Sequence, residues 1–221
     1  MVDWDRIENF VGYGRLDAPV VFIGMEEGGY GANQPEKLLA DLIRRSSFRE
    51  IEAYAGHSGA IQRTWRVACS LMLHRQGNTQ PSVAELVAYQ DTKFARPDGE
   101  VLLTELMPYP NNRLSSWPAI YAERETREGY YQRLLPARTK LIRDVLAASK
   151  RELIVAYGKG HWPAYASIFG VEVKSGVGGA FRSFDWNGAR VVFCPHFVSR
   201  SFNSNASVAQ FAKYALGDGW R

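Results

Sequence analysis

Two adjacent carboxylates, Glu26 and Glu27, sit in the stretch VVFIGMEEGGYG (20–31), where an apolar run gives way to glycines. A positioned acid beside flexible backbone suits activation of a water or stabilisation of a developing cation. The turn has neither the Lys and Ser/Thr of a phosphate loop nor the glycine spacing of a dinucleotide fingerprint, and paired acids would repel a phosphate. Two neighbouring acids rarely both face one crevice. One is expected to carry chemistry and the other to be solvated or salt-bridged, with capping of the next segment as the plainer alternative. The other chemically suggestive stretch is CPHFVSRSFNSN (194–205), in which His196 follows an apolar run and precedes a polar, basic loop with aromatics. His57, His74 and His161 have weaker contexts and read as structural, with phosphate contact as the alternative for His161.

These residues need elements to position them. Four β-rich runs, 19–25, 101–107, 152–158 and 189–195, are almost continuously apolar, as strands covered on both faces are. Between them lie helical patterns: QPEKLLADLIRR with Pro35 and Glu36 at its start, AIQRTWRVACSLMLHR, YYQRLLPARTKLIRDVLAAS, GHWPAYASIFG and NASVAQFAKYAL. Alternation of this kind predicts an α/β fold, a three-layer α/β/α sandwich around a central, mostly parallel, four-stranded sheet in one domain over 1–221. The glycine cluster and the WNG turn within 171–190 leave room for one or two accessory strands. Ligands of such sheets bind beyond the carboxyl ends of the strands, which selects 24–31, 105–113, 158–162 and 196–205 as candidate segments.

Composition sets the outer bounds. A chain of 221 residues that is 46% hydrophobic can bury one sizeable core. Its two cysteines, Cys69 and Cys194, lie in apolar runs, so they read as core thiols, and neither a disulfide framework nor a metal centre is expected. No apolar run reaches membrane-spanning length and MVDWDRIENF is unlike a signal peptide, which makes the cytoplasm the expected location. The net charge of +4 permits a polyanionic partner without requiring one. Arginines concentrate between 113 and 151 but are interleaved with glutamates, as on a solvated helical face or a phosphate-tracking patch.

Taken together, IGMEEGG, LLTELMPYPNNR, IVAYGKGHW and CPHFVSRSF resemble, in order and spacing, the motifs of the uracil-DNA glycosylase superfamily over about residues 11 to 205. The first is most similar to the Gly-Met-Asn-Pro-Gly form of the single-strand-selective branch. The resemblance implies a water-activating position at Glu26 and a hydrogen-bond donor to the leaving base at His196. It further implies base reading at Glu105, with Met25 and Asn111 beside it and Tyr30 as the stacking aromatic. The DNA-inserting loop would be 197–202, led by Arg200 and Phe202, with Lys159, Ser199 and Ser201 as further DNA contacts. No cofactor or metal is implied, and a monomer acting on DNA is the expected form. Several positions depart from the pattern. Glu26-Glu27 replace Asn-Pro or Asp-Pro, Phe197 replaces a proline, Glu105 replaces an asparagine, and the cysteines of iron-sulfur branches are absent.

Hydrolysis of an N-glycosidic bond builds positive charge on the sugar and negative charge on the departing base. A carboxylate below the sugar and a donor at the base oxygen are therefore the required groups. An ionised Glu105 would only accept hydrogen bonds, whereas a protonated one could donate as asparagine does. A salt bridge that turns Glu105 away from the pocket, leaving backbone or Asn111 to read the base, is the other possibility. The sequence leaves open removal of uracil alone or of other deaminated bases as well. A non-catalytic nucleic-acid-binding module on the same fold and an unrelated nucleotide-acting α/β enzyme also remain open.

Overall fold

The computed structural model describes residues 1–29, 33–54, 59–111, 116–173 and 179–217. Seven strands form one mixed sheet in the order β3-β1-β4-β2-β5-β7-β6. They are β1 (Gly12–Gly14), β2 (Val20–Glu26), β3 (Ile51–Glu52), β4 (Val101–Met107), β5 (Leu153–Tyr157), β6 (Arg182–Trp186) and β7 (Ala189–Cys194). The α/β class expected from the sequence is present, but the sheet is wider than four strands. The four apolar runs form its parallel centre, β4-β2-β5-β7. The flanks are antiparallel: β1 against β4 and β6 against β7, with β3 parallel to β1 at the edge.

β6 fills the room left for an accessory strand within 171–190, whereas β1 and β3 escaped the sequence pattern for physical reasons. β1 reads GYG and β3 spans two residues, so neither carries a countable apolar period. β6 is half-exposed along its length, and the turn joining it to β7 was legible: Asn187 and Gly188 both have positive φ, 49° and 78°, as a tight type I′ hairpin requires.

Eight α-helices are described: α1 (Trp4–Asn9), α2 (Pro35–Arg45), α3 (Trp65–Arg75), α4 (Val83–Thr92), α5 (Ala119–Ala122), α6 (Arg127–Ala147), α7 (Trp162–Phe169) and α8 (Asn205–Leu216). Successive strand residues alternate between two apolar cores. Val21, Ile23, Ile154, Val191 and Phe193 pack with α1, α2, α6 and α7. Val20, Phe22, Val155, Val192 and Cys194 pack with α3, α4 and α8. Helices on both faces explain why these strands are continuously apolar. Ser82 and Glu85 form a reciprocal capping box at the start of α4. No helix among the described residues is long and apolar enough to cross a membrane.

Candidate active site

From β2 the chain crosses outward to β4, then returns past β2 to β5 and continues to β7. The connections therefore part at the carboxyl ends of β2 and β5, where open α/β sheets form their ligand crevice. A cleft of about 910 Å³ lies there, lined by Met25, Glu26, Glu27, Glu105, Asn111 and His196 among others. These six come from the ends of three separate strands, and the fold brings all of them to one place.

The two acids are held differently. Glu27 takes a 2.7 Å ion pair from Arg45 of α2 and a 3.0 Å hydrogen bond from the Tyr13 hydroxyl, while Asp41 pins the same arginine at 2.8 Å. Glu26 accepts from the Tyr131 hydroxyl and, at a long 3.4 Å, from Arg127, both on α6. Burial raises the Glu26 pKa, with Tyr131 and Arg127 opposing it. Glu27 thus belongs to an ion-paired network, whereas Glu26 is a buried acid held by the Tyr131 hydroxyl, with Arg127 at longer range.

Glu105 points into the sheet face it shares with Phe22 and Val155. The Tyr157 hydroxyl donates to its Oε1 at 2.9 Å, and its buried Oε2 has no hydrogen-bond partner among the described residues. Among the described residues Glu105 has no salt bridge, and Arg113, the partner expected for one, lies outside them. Only glycine fits at position 24: a Cβ there would meet Glu105 Oε2 at 1.9 Å and the Tyr157 hydroxyl oxygen at 2.4 Å. Burial pushes the Glu105 pKa up to about 8; Tyr157 opposes this, and Glu27 and Glu26 reinforce it. The folded protein holds this proton up to about pH 8, whereas the unfolded chain releases it near the ordinary value of 4.5. The resulting stabilisation is complete below pH 4.5 and is lost as pH rises to 8. Thermal unfolding followed by circular dichroism should show the wild-type protein losing stability across that window, and Glu105→Gln should remove most of the slope.

His196, on the exposed rim, accepts a 3.3 Å hydrogen bond at Nδ1 from the Val198 amide. In the neutral ring the proton is then on Nε2. Partial desolvation lowers its pKa, which favours that neutral form. His161 lines the same cleft, and its pKa is lowered by burial and then by His196 and Arg127. His161 stands in the turn after β5, whose carboxyl end is one of the crevice positions, and that position is the sequence signal for its place in the cleft. Tyr157 ends the third apolar run and was legible on the same ground. Tyr131 and Arg127 had no local signal, because their reach to Glu26 spans about a hundred residues of sequence.

The loop after His196 corrects one expectation. Phe202 is only 2% exposed and packs on Phe181, Phe197 and Phe211, so it belongs to the core rather than to a DNA-inserting tip. Its neighbour Phe197 is equally buried and stacks on Tyr157 at 4.5 Å. The exposed apolar residue of this loop is Val198, with Arg200 and Ser201 also exposed and Ser199 half-buried. Phe202→Ala should cost about 3–5 kcal/mol of stability, as emptying an aromatic site in a core does, which denaturant unfolding would measure. Lys159 is exposed in the turn after β5, and neither it nor residues 199–202 line the cleft.

Tyr30, the expected stacking aromatic, lies outside the described residues. The described aromatic wall is Tyr13, Phe48, Tyr54, Trp65 and Tyr157. Tyr54 is fixed there by accepting from the Trp65 indole at 2.6 Å and donating to Gln62 at 2.7 Å. Of the described arginines of 113–151, Arg124, Arg133 and Arg143 are exposed, Arg127 is half-buried, and Arg138 and Arg151 are buried. Arg138 and Arg151 are buried donors to backbone carbonyls, Arg133 pairs with Glu8 and Glu125, and Arg143 bonds Ser167 and Ile168 carbonyls. Comparison with protein-family models and with curated proteins finds no match to this chain.

Proposed function

We propose that the protein is a DNA glycosylase that extrudes uracil, and other deaminated bases, and hydrolyses the N-glycosidic bond. On this reading the fold is a three-layer sandwich of the uracil-DNA glycosylase kind. The observation that carries the reading is the convergence, in one cleft, of a buried carboxylate at the end of β2 and a neutral imidazole with its N–H on Nε2 at the end of β7.

Each group answers one charge of the transition state. Glu26 faces the sugar as it becomes cationic and orients the water that captures it. His196 Nε2–H donates to the oxygen on which the departing base gathers negative charge. The cleft is lined by Glu26, Glu27, Asp41, Glu52 and Glu105 against Arg44 and Arg45, an acidic balance that suits a base and a sugar cation better than a nucleotide phosphate. Extrusion costs a few kcal/mol for a paired base and less for a mismatched or unpaired one. On this reading Val198 and Arg200, which are exposed, hold the emptied stack open. A non-catalytic binding module on the same fold is favoured by one observation, that both oxygens of Glu26 have partners.

Incubation with an oligonucleotide carrying one uracil, followed by alkali, separates the two: strand cleavage at the uracil supports the glycosylase, and tight binding without cleavage supports the module. Val198→Asp and Arg200→Ala should each slow duplex excision about tenfold while sparing single-stranded substrate, since only a duplex has a stack to hold open. Single-turnover rates on both substrates check this, and equal losses would remove the loop from DNA insertion.

A further inference from the structure

Gly24, Glu105 and Tyr157 form one row across three neighbouring strands. Gly24 is the register partner of Glu105, and Ile23 pairs with Ala156, one residue before Tyr157. A tyrosine has one hydrogen to give, and Tyr157 gives it to Glu105 Oε1, so in the protonated acid Oε1 is the carbonyl-like oxygen. The acid hydrogen then lies on Oε2, closed off from solvent beside Gly24 and without an acceptor among the described residues. A buried polar group left in this state calls for an explanation, and a ligand carbonyl at the cleft floor would supply the missing acceptor. Glu105 lines the cleft, and its terminal bond is a soft torsion about which the acid can turn toward a ligand there.

We propose that Glu105 is a catalytic general acid, passing the Oε2 proton to the deep-edge ring carbonyl oxygen of the leaving base, while His196 at the rim serves the base's other polar edge. The inference rests on the glycosylase reading above and assigns it a substrate class: heterocycles with a carbonyl at the deep edge, such as uracil and hypoxanthine, over amino-bearing cytosine and adenine, whose N–H would face the acid's O–H. As the sugar–base C–N bond breaks, its electron pair passes through the base onto the carbonyl oxygen. The Oε2–H bond breaks, an O–H bond forms on the base, and the base departs as a neutral enol that returns to its keto form in water. Glu105 is left as a carboxylate. The water that adds to the sugar carbon gives its proton to Glu26, and exchange with solvent restores both acids.

The surroundings keep Glu105 protonated until that moment. Tyr157 and Tyr165 are neutral phenols held above their ordinary range. Glu26 and Glu27 favour the proton on Glu105, and Arg138 opposes it while its guanidinium is spent on the carbonyls of Glu8, Phe10, Glu105 and Leu106.

The test is single-turnover uracil excision by wild type and Glu105→Gln between about pH 6 and 9.5, with binding of a non-hydrolysable 2′-fluoro-uracil oligonucleotide measured alongside. Glutamine keeps a donor but cannot give up a proton. The wild-type rate should fall about tenfold per pH unit above about pH 8. Glu105→Gln should be slower by on the order of a hundredfold, flat with pH and unimpaired in binding. A wild-type rate that stays level to pH 9.5, or a Glu105→Gln rate equal to wild type, overturns the general acid and leaves the glycosylase standing. Absence of excision from any substrate at any pH overturns the glycosylase reading, and the general acid with it.

Discussion

Glu26→Gln is expected to lower base excision by on the order of a hundredfold while DNA affinity stays within about twofold, by comparison with the loss of other single electrostatic groups. The carboxylate's charge matters only once the sugar has become cationic, so its loss is felt in the transition state and not in the bound complex. Glutamine can still accept from Tyr131 and so keeps the side chain in place. The control is Glu27→Gln. Its target is the Arg45–Asp41–Tyr13 network, so it should lower the unfolding temperature and leave the chemical step nearly intact. Single-turnover rates with saturating enzyme separate the two, and the reverse ranking would move the catalytic acid to Glu27. Because burial raises the Glu26 pKa, the acid limb of the rate profile should lie above the range of an ordinary carboxylate.

The second large effect is expected at His196. His196→Ala should slow base departure by on the order of a hundredfold, since the leaving oxygen loses a preorganised donor. The ring sits on the exposed rim, so the substitution should spare the fold, and unchanged thermal unfolding would confirm that the loss is chemical. Excision within about twofold of wild type corresponds to well under 1 kcal/mol in the barrier and would remove the donor role.

The parallel centre of the sheet was legible because strands packed on both faces must be apolar at every position, a pattern that survives in the linear sequence. The β1–β3 flank was not legible, since GYG and Ile51–Glu52 are held by hydrogen bonds to stronger neighbours rather than by a pattern of their own. The same division runs through the site. Glu26, Glu105 and His196 follow from one rule, that ligands meet the carboxyl ends of such strands. The groups that tune them, Tyr131, Arg127, Arg45 and Tyr157, arrive from other elements through tertiary contacts. Phe202 shows the opposite limit: an aromatic in a polar loop reads as exposed, yet Phe181 and Phe211 supply an apolar pocket that no local pattern announces.

Chromatographic measurement of free base released from oligonucleotides carrying uracil, hypoxanthine, xanthine or thymine, with wild type and Glu26→Gln compared at equal DNA occupancy, tests the central claim most directly. The account predicts stoichiometric release of free uracil by wild type, release of at least one deaminated purine, and a loss on the order of a hundredfold in Glu26→Gln. DNA bound by both proteins with no free base released from any substrate would contradict it and leave a binding module on an α/β fold.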